Sequence, residues 1–339
     1  MKLSLTPLTL RTKHEFKIAR GGNSSWEHLV LKLEHEDKVG LGEVAATAYY
    51  GENASTARAA IAAWEPLLPT DPWDIEGFER RATGRLAWNR GAWNALDTAL
   101  WDLRGQLAGL PLWRLWGLDP TAMPLSSFTL GLADWETMEL KLAEASDYPI
   151  LKVKVGGADD VSTLAMIRKR TDRPIRVDAN AGWSRAEAMR ILPALADLGV
   201  EFVEQPLDPD DDEGLRWLST RSPVPIFVDE SCHGASDVPR VAGHVAGVVV
   251  KLVKTGGPTE AIRLFHTARA HGLGTMIGCM IESSLGITAA AHLGPLADTL
   301  DLDGHWLLAD DPFVGVGGAH GRLTLPERPG LGVTPRHGG

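Results

Sequence analysis

The chain has 339 residues, which is enough for two domains or for one large barrel. Its 34 basic and 44 acidic side chains leave a formal net charge of -10, and this acidic balance argues against nucleic acid and anionic membranes as main partners. Two cysteines are too few for a disulfide framework or a four-thiolate zinc site. The N-terminal residues lack the apolar core of a secretory signal, and no segment approaches the roughly 20 apolar residues of a membrane span. We therefore expect a cytoplasmic protein that binds neither nucleic acid nor a membrane.

The first 120 residues predict an α+β domain. Residues 29–44 hold two apolar stretches around a polar turn, which is typical of antiparallel strands. The stretches at 57–64 and 92–107 have helical periodicity. Asp97 and Asp102 lie in the second predicted helix, and we expect them to make buried polar contacts rather than to take part in catalysis.

From residue 121 to 312, short apolar runs alternate with helical stretches, a pattern typical of a parallel sheet. Eight strands that close on themselves would form a (β/α)₈ barrel. An open doubly wound sheet is the alternative, but no Gly-x-Gly-x-x-Gly motif follows a strand. We expect residues 313–339, rich in Gly and Pro, to return to the first domain, with a strand at 322–326. The eight runs are residues 125–130, 149–155, 175–179, 200–205, 224–229, 245–251, 274–278 and 297–302.

Charged side chains stand at the ends of five consecutive apolar runs, each one βα unit from the next. A charge at the end of a buried strand is costly unless it is paired or coordinated. In a barrel all five would meet at the C-terminal mouth, where barrel active sites lie. A buried ring of salt bridges is the alternative, but it would be a poor route to stability. The five are Lys154, Asp178, Glu204, Asp229 and Lys251.

The order of these five residues around a barrel predicts a reaction. Lys154 and Lys251 would lie on opposite sides, with the three acids on the arc between them. Three oxygen ligands without His or Cys suit Mg²⁺, or Mn²⁺, far better than zinc. One lysine could take the α-proton of a metal-bound carboxylate to give a metal-stabilised enediolate, and the other could return a proton to the opposite face. Each lysine would then need a pKa lowered toward the working pH by burial and by neighbouring cations.

Five motifs in this order resemble the muconate-lactonizing-enzyme subgroup of the enolase superfamily. They are Lys152-Val-Lys154, Asp178-Ala-Asn180, Glu204-Gln-Pro206, Asp229-Glu230-Ser231 and Lys251-Leu-Val-Lys254-Thr-Gly-Gly257. The resemblance covers almost the whole chain and implies an α/β fold, an enolase-like (modified TIM) barrel under an α+β capping domain. It implies that Asp178, Glu204 and Asp229 bind one Mg²⁺ ion per subunit, and that Lys154 and Lys251 are the acid/base pair.

The resemblance also implies roles for neighbouring side chains. Lys152 would contact the substrate carboxylate and tune the pKa of the adjacent catalytic lysine. Asn180 and Glu230 would orient ligands and charge around the metal. Lys254 is the competing candidate for the base on its strand, and we prefer Lys251 because it directly follows the apolar run.

The eighth strand distinguishes the activities of the subgroup. Asp301 and Asp303 are two residues apart and therefore point to the same side of a strand, opposite the metal. This Asp-x-Asp pattern resembles the dipeptide epimerases, whose substrate carries an ammonium group at the end far from its carboxylate. The resemblance implies an isomerase that inverts the α-carbon of the C-terminal residue of a dipeptide. The alternatives are an N-acylamino acid racemase, an o-succinylbenzoate synthase or a muconate cycloisomerase, and for the two acids a solvated loop.

Two segments and two charged side chains are candidates for substrate specificity. Segments of the capping domain at about 20–26 and 47–51 should cover the barrel mouth, and the first, which is Gly-rich, could move as a lid. Arg20 could pair with an acidic side chain of the substrate or face solvent. Glu282 lies in a segment that also resembles the dipeptide epimerases and is a further substrate-binding candidate. A homo-oligomer is expected by analogy with the family.

Overall fold

A three-stranded antiparallel sheet with strand order β1-β2-β3 opens the chain in the computed structural model, which describes residues 1–87, 89–157 and 159–336. Its inner face presents Leu29, Leu31 and Leu33 to the helices that follow. A Cβ on Gly42 would overlap the carbonyl oxygen of Ala95, so this glycine lets the sheet lie directly on a helix. The elements are β1 (Lys2–Ile18), β2 (Gly21–His35), β3 (Lys38–Val44), α1 (Ala54–Trp64), α2 (Ile75–Arg85), α3 (Arg90–Ala108) and α4 (Leu112–Leu115).

Eight parallel strands follow in sequential order and confirm the predicted barrel. A bridge between Ser126 and Leu300 joins the segment before the first strand to the eighth strand and so closes the ring. The strands are buried almost throughout, as expected when both faces of a sheet are covered. The strands are β4 (Phe128–Leu130), β5 (Leu151–Lys154), β6 (Ile175–Asp178), β7 (Val200–Glu204), β8 (Ile226–Val228), β9 (Gly247–Val250), β10 (Gly274–Gly278) and β11 (Thr299–Asp301).

Helices surround the strands, and none in the described ranges is both long and apolar enough to cross a bilayer. Inside the ring, Phe202 and Phe227 stack with their centroids 4.4 Å apart and pack with Val249 and Met276. This layer fills the barrel interior, so an active site must lie above it, at a mouth. The helices are α5 (Trp135–Glu144), α6 (Asp160–Arg168), α7 (Arg185–Asp197), α8 (Asp212–Ser219), α9 (Val238–Val241), α10 (Leu252–Thr255), α11 (Pro258–Ala270) and α12 (Ser284–Ala291).

The C-terminal segment does not return as the predicted strand at 322–326. The strand there belongs to a small hairpin, and contact with the N-terminal part is made by a loop. The backbone N–H of Leu112 donates to the carbonyl of Gly330 over 3.1 Å, and that of Leu331 donates to Oδ1 of Asp102 over 2.8 Å. The domain limits at 120 and 312 remain predictions, and residues 337–339 of the third segment lie outside the described ranges. The final strands are β12 (Phe313–Val314), β13 (Gly317–Ala319), β14 (Arg322–Thr324) and β15 (Thr334–Pro335), paired β12-β15 and β13-β14.

Buried acids of the N-terminal part fasten it to the barrel. Asp97 accepts hydrogen bonds from the backbone N–H and the hydroxyl of Thr259, both over 2.7 Å. Glu43 accepts from His28 over 2.7 Å and from the backbone N–H groups of Ser283 and Gly286, each over 3.1 Å. These contacts seat the N-terminal sheet against the start of α12, close to the C-terminal mouth of the barrel.

Candidate active site

The five charged residues at the strand ends meet at one mouth of the barrel. In the parallel register Lys154 lies opposite Asp178, and Asp178 lies opposite Glu204. Asp229 follows β8 directly, and Lys251 follows β9. All five are buried. Five neighbouring strands therefore present a row of side chains in the order lysine, acid, acid, acid, lysine.

The two lysines approach this row from its opposite ends. Lys154 Nζ donates to Oδ2 of Asp178 over 2.6 Å. Lys251 Nζ donates to Oδ2 of Asp229 over 2.6 Å and lies 3.8 Å from Oε1 of Glu204. A molecule above the central acid would thus have one ammonium group on each flank.

Lys152 lies among three acids, and its expected contact with the substrate carboxylate stays a prediction. It is 1% exposed, and its Nζ lies 2.6 Å from Glu204 Oε2, 3.1 Å from Asp178 Oδ2 and 2.7 Å from Asp301 Oδ2. The reason is its position two residues before the end of β5, from which the side chain reaches across the barrel interior. Lys152 therefore balances charge beneath the row.

Lys254 is held by the protein itself. Its Nζ donates to the carbonyl of Asp229 over 2.6 Å, to Oδ1 of the same residue over 2.8 Å and to the carbonyl of Val249 over 2.7 Å. These acceptors match the three donors of an ammonium group, and the residue is fully buried. This geometry favours Lys251 over Lys254 as the residue that can reach a substrate.

The pKa of Lys251 is shifted opposite to the expected direction in this arrangement. Burial opposes the charged form of Lys251, but the carboxylates of Asp229 and Glu204 outweigh it, and the pKa is raised well above its ordinary value. The same balance, with Asp301 as the strongest partner, raises the pKa of Lys152. From the sequence we overestimated the repulsion between cations, because the motifs do not show how many carboxylates each ammonium group contacts.

Glu204, at the centre of the row, fits a metal ligand best. Lys152 lies 2.6 Å from one of its oxygens, but not in hydrogen-bond geometry; across the described chain neither carboxylate oxygen has a hydrogen-bond partner. Burial and the neighbouring Asp178 raise its pKa to about 8. For Asp178 and Asp229, burial is outweighed by the lysines, which hold the pKa below its ordinary value.

These three acids form the oxygen-rich donor set that suits Mg²⁺. In the part of the chain that the structure describes, no three acidic, His or Cys side chains converge as a finished metal cluster. Ammonium groups lie between the acids: Lys152 contacts both Asp178 and Glu204, and Lys251 contacts both Glu204 and Asp229. The donor chemistry and the unpartnered oxygens of Glu204 fit a divalent cation that competes with these ammonium groups for the carboxylates.

Asn180 and Glu230 place further oxygens near the same acids. Asn180 has a left-handed backbone, with φ of 44°, and its N–H donates to Oδ1 of Asp178 over 2.9 Å. Its own Oδ1 is buried, as is Oε2 of Glu230, and within the described ranges neither has a hydrogen-bond partner. Burial and then the charge of Asp229 raise the pKa of Glu230 to about 7.

Asp301 and Asp303 are buried at the mouth rather than solvated, and they have different partners. Asp301 accepts from Lys152 and, over 2.7 Å, from the hydroxyl of Ser127. Asp303 accepts from the backbone N–H of Thr129 over 2.5 Å. Burial and the neighbouring Asp301 raise the pKa of Asp303 to about 7. Asp303 is thus the acid of this pair that has no lysine partner among the ion pairs of the described residues.

Ser127 and Thr129 were missed in the sequence. The two residues are two positions apart, Ser127 just before β4 and Thr129 within it. Thr129 Oγ1 is 3.4 Å from Asp301 Oδ1. The signal was present, because polar residues two apart in an otherwise apolar run share one face of a strand.

The segment at 20–26 is not a Gly-rich loop. It forms the start of β2, where Asn23 pairs with Phe16 and Gly22 with Lys17, so that only a tight turn at residues 19 and 20 remains. Arg20 lies at this turn, 3.7 Å from Oε1 of Glu230, with its guanidinium 3.8 Å from the ring centroid of Tyr49. The expected lid is therefore the tip of an extended β-hairpin, and its motion stays a prediction.

Glu282 and Tyr50 lie at the edges of the site. Glu282 is buried and accepts from the backbone N–H of Met280 over 2.9 Å, and burial with the nearby Glu43 raises its pKa to about 7. Tyr50, in the predicted covering segment 47–51, packs on His233 with ring centroids 5.4 Å apart. Burial and then the charge of Asp229 raise its pKa.

Comparison with known proteins decides the family. The "Enolase C-terminal domain-like" family matches residues 137–338, and the "Mandelate racemase / muconate lactonizing enzyme, N-terminal domain" family matches residues 5–117. The chain belongs to the enolase superfamily. Together the two matches cover both parts of the chain, as its motifs predicted.

Two proteins of similar sequence are named as epimerases. The "L-Ala-D/L-amino acid epimerase" of Maribacter sp. is 38% identical, and the match covers 98% of this chain and 99% of that protein. The "Hydrophobic dipeptide epimerase" of a Flavobacteria bacterium is also 38% identical, with 98% of each chain covered.

A solved structure agrees with both. The dipeptide epimerase from Enterococcus faecalis, complexed with Mg and the dipeptide L-Leu-L-Tyr, superposes with a TM-score of 0.93 at 32% identity, covering 98% of this enolase-superfamily chain and 99% of that one. That structure has the same fold as this chain and contains Mg.

Proposed function

We propose that the protein is a Mg²⁺-dependent dipeptide epimerase that inverts the α-carbon of the C-terminal residue. The observation that carries the proposal is the row of three buried carboxylates with Lys154 and Lys251 at its two ends, each 2.6 Å from a different acid. Relatives that match over nearly their full length are named as dipeptide epimerases, which supports the same assignment.

In this proposal the substrate lies with its C-terminal α-carbon between the two lysines. One lysine, neutral at that moment, takes the α-proton on its Nζ, and the opposite lysine, charged, gives a proton to the other face of the carbon. One lysine must therefore be neutral and the other protonated when the reaction starts, in either direction. The positions of Lys154 and Lys251 at opposite ends of the acid row support proton transfer at both faces of the α-carbon.

The metal site of the proposal consists of Asp178, Glu204 and Asp229. A bound Mg²⁺ ion would neutralise the negative charge that develops on the substrate carboxylate when the α-proton leaves. Asn180 keeps Asp178 oriented through its backbone N–H, and Lys254 holds Oδ1 of Asp229.

Asp303 binds the substrate ammonium in this proposal, and Asp301 holds Lys152. A buried acid with a pKa of about 7 and no lysine partner among the described ion pairs gains most from an incoming cation. Racemases of N-acylated amino acids, o-succinylbenzoate synthases and muconate cycloisomerases act on substrates without an ammonium group there. These alternatives are not favoured, because the sequence relatives are dipeptide epimerases.

Solvent deuterium uptake tests the proposal. The wild-type enzyme with Mg²⁺ is incubated in deuterated water with a library of dipeptides, and the mass of each peptide is then measured by mass spectrometry. We expect one deuterium at the C-terminal α-carbon of both stereoisomers of accepted peptides. No uptake by any dipeptide, with uptake by an N-succinyl amino acid, would instead assign the racemase activity.

We also propose a cytoplasmic location. Cys232 and Cys279 are both free thiols, as is usual for proteins of a reducing compartment. A symmetric homo-oligomer is proposed by analogy with the family alone.

A further inference from the structure

A cavity of about 340 Å³ lies between the N-terminal sheet and the barrel, outside the row of acids and lysines. Its roof is the middle of β1, which crosses the barrel mouth. The backbone N–H of Lys13 donates to the carbonyl of Leu307 over 3.0 Å, and that of Leu132 donates to the carbonyl of Lys17 over 2.8 Å. The strand is thus tied to the segments that follow the eighth and the first strands of the barrel.

The cavity adjoins Asp303 through two hydrogen-bonded neighbours. Thr129 lines the cavity, and its backbone N–H is the donor to Asp303 Oδ2 over 2.5 Å. Trp306 lines it as well, and its backbone N–H donates to the carbonyl of Asp303 over 2.8 Å. Burial and next the charge of Asp303 raise the pKa of Tyr148, a third lining residue. A cation bound at Asp303 would therefore carry its substituents toward this cavity.

An aromatic wall forms the inner side of the cavity. The rings of Phe128 and Tyr148 have centroids 4.5 Å apart, and those of Tyr148 and Trp306 are 5.2 Å apart. Phe16 and Leu307 complete the apolar lining. Such a surface stabilises an apolar side chain in proportion to the area removed from water.

The charged groups around the cavity are balanced, and most have partners within the protein. His14 Nε2 lies within hydrogen-bond distance of Oε1 of Glu144, 2.7 Å away. Lys13 donates to the carbonyl of Trp306 over 3.0 Å, and Lys141 donates to the carbonyl of Gly131 over 3.4 Å. Glu15 lies on the exposed side of β1. Two lysines and two glutamates give no excess charge, so the lining does not favour an ionic side chain.

We propose that this cavity is the subsite for the side chain of the N-terminal residue of the dipeptide, and that the enzyme prefers a large neutral residue there, such as Leu or Phe, over Ala. The inference rests on the proposed function, since it requires the substrate ammonium at Asp303. A cavity of this volume leaves an alanine methyl group surrounded by empty or watery space, whereas a leucyl or phenylalanyl side chain would fill it.

A peptide series tests the proposal with the wild-type enzyme. The N-terminal residue is Ala, Val, Leu, Phe, Lys or Glu, and the C-terminal residue is fixed, once as Leu and once as Glu. We expect kcat/KM to rise at least about tenfold from Ala to Leu or Phe, the scale on which a hydrophobic pocket separates side chains. Lys and Glu should be poorer than Leu in both series. A flat profile, or a maximum at Ala, would overturn the subsite, whereas an absence of epimerisation with every peptide would overturn the proposed function itself.

A variant that fills the cavity provides the second test. Leu307→Trp should lower kcat/KM for peptides with N-terminal Phe or Leu at least tenfold and leave peptides with N-terminal Ala within about threefold of the wild-type value. Leu140→Trp, at a position 57% exposed on α5, adds the same bulk outside the cavity and should change neither. An equal loss on all peptides in Leu307→Trp, with an intact fold by circular dichroism, would contradict a side-chain subsite.

Discussion

The ammonium group of Lys152 donates to Oδ2 of Asp301 over 2.7 Å and so connects the second strand of the barrel to the eighth. The two strands are not neighbours, because β4 lies between them. The same ammonium group contacts Glu204 of the fourth strand over 2.6 Å. One buried lysine thus connects the acids proposed to hold the metal to Asp301, the neighbour of the acid proposed to bind the substrate ammonium.

This coupling predicts different consequences for the two acids of the eighth strand. Asp303→Asn should lower kcat/KM roughly 10- to 100-fold for a dipeptide with a free amino group, because a charge-assisted hydrogen bond is lost. The same variant should treat the N-acetylated dipeptide as the wild-type enzyme does, and steady-state kinetics on both substrates measures this difference. Asp301→Asn should lower kcat/KM for both substrates, because it removes one of the three carboxylates that hold Lys152 beside the acid row. Equal losses for the two substrates in Asp303→Asn would place the substrate ammonium elsewhere.

Lys254 and Lys251 should differ in what they contribute to stability. Lys254→Met removes three hydrogen bonds, to the carbonyls of Asp229 and Val249 and to Oδ1 of Asp229. The Asp229 carbonyl still accepts from the backbone N–H of Cys232, and each lost hydrogen bond costs about 0.5–1.5 kcal/mol. Lys251→Met leaves Asp229 paired with Lys254. We expect the free energy of unfolding to fall by about 2 kcal/mol more in Lys254→Met than in Lys251→Met, measured by urea denaturation. The reverse order would mean that Lys254 is not the structural lysine of its strand.

His292 predicts a pH dependence of stability. Its Nδ1 accepts from the backbone N–H of Trp113 over 3.2 Å, and its Nε2 lies 3.1 Å from the carbonyl of Leu331, so the folded state holds the neutral ring. Burial lowers its pKa from 6.5 to about 4. A lowered histidine pKa means that its contribution is fully present above about pH 6.5 and is lost as the pH falls toward 4, by about 3 kcal/mol in total.

Denaturation of the wild type and of His292→Asn at pH 4, 5, 6 and 7 measures this contribution. The difference in unfolding free energy between the two proteins should shrink as the pH falls, because only the wild type has the ring to protonate. His233 and His305 have similarly lowered pKa values, but they are common to both proteins and cancel in the difference. A difference that is constant with pH would show that His292 keeps an ordinary pKa in the folded protein.

Metal removal should affect stability as well as activity. A chelator should abolish epimerisation, and Mg²⁺ should restore it. The melting temperature should rise with added Mg²⁺, because a ligand that binds only the folded state stabilises it by mass action. Glu204→Gln should lose this rise, since it removes the central carboxylate, whereas Glu201→Gln, on the same strand but away from the row, should keep it. A rise of equal size in Glu204→Gln would place the cation outside the acid row.

The sequence predicted the barrel and the row of charges because both follow from regular spacing. Apolar runs about 25 residues apart define parallel strands, and a charge at the end of each run must lie at the same mouth. The helix α12 was not predicted, since all eight of its residues are buried and it has no polar face to give a helical period.

Features that depend on the reach of side chains across the fold were not predictable. Lys152 and Asp301 are 149 residues apart, and nothing in either motif indicates that they pair. The hairpin around Arg20 was mistaken for a loop because Gly and Ser are frequent in turns, although the long pairing partner in β1 keeps the segment extended. The raised pKa of Lys251 was not predicted for the same reason, because partners from other strands decide it.

Isotope exchange by single lysine variants tests the central claim most directly. Lys154→Met and Lys251→Met are each incubated in deuterated water with the separate stereoisomers of one accepted dipeptide, and α-deuterium is followed by mass spectrometry. If the lysines act on opposite faces, neither variant epimerises, and each exchanges only one stereoisomer, a different one in each variant. Exchange of the same stereoisomer by both variants, or epimerisation retained by either, would contradict a two-lysine mechanism.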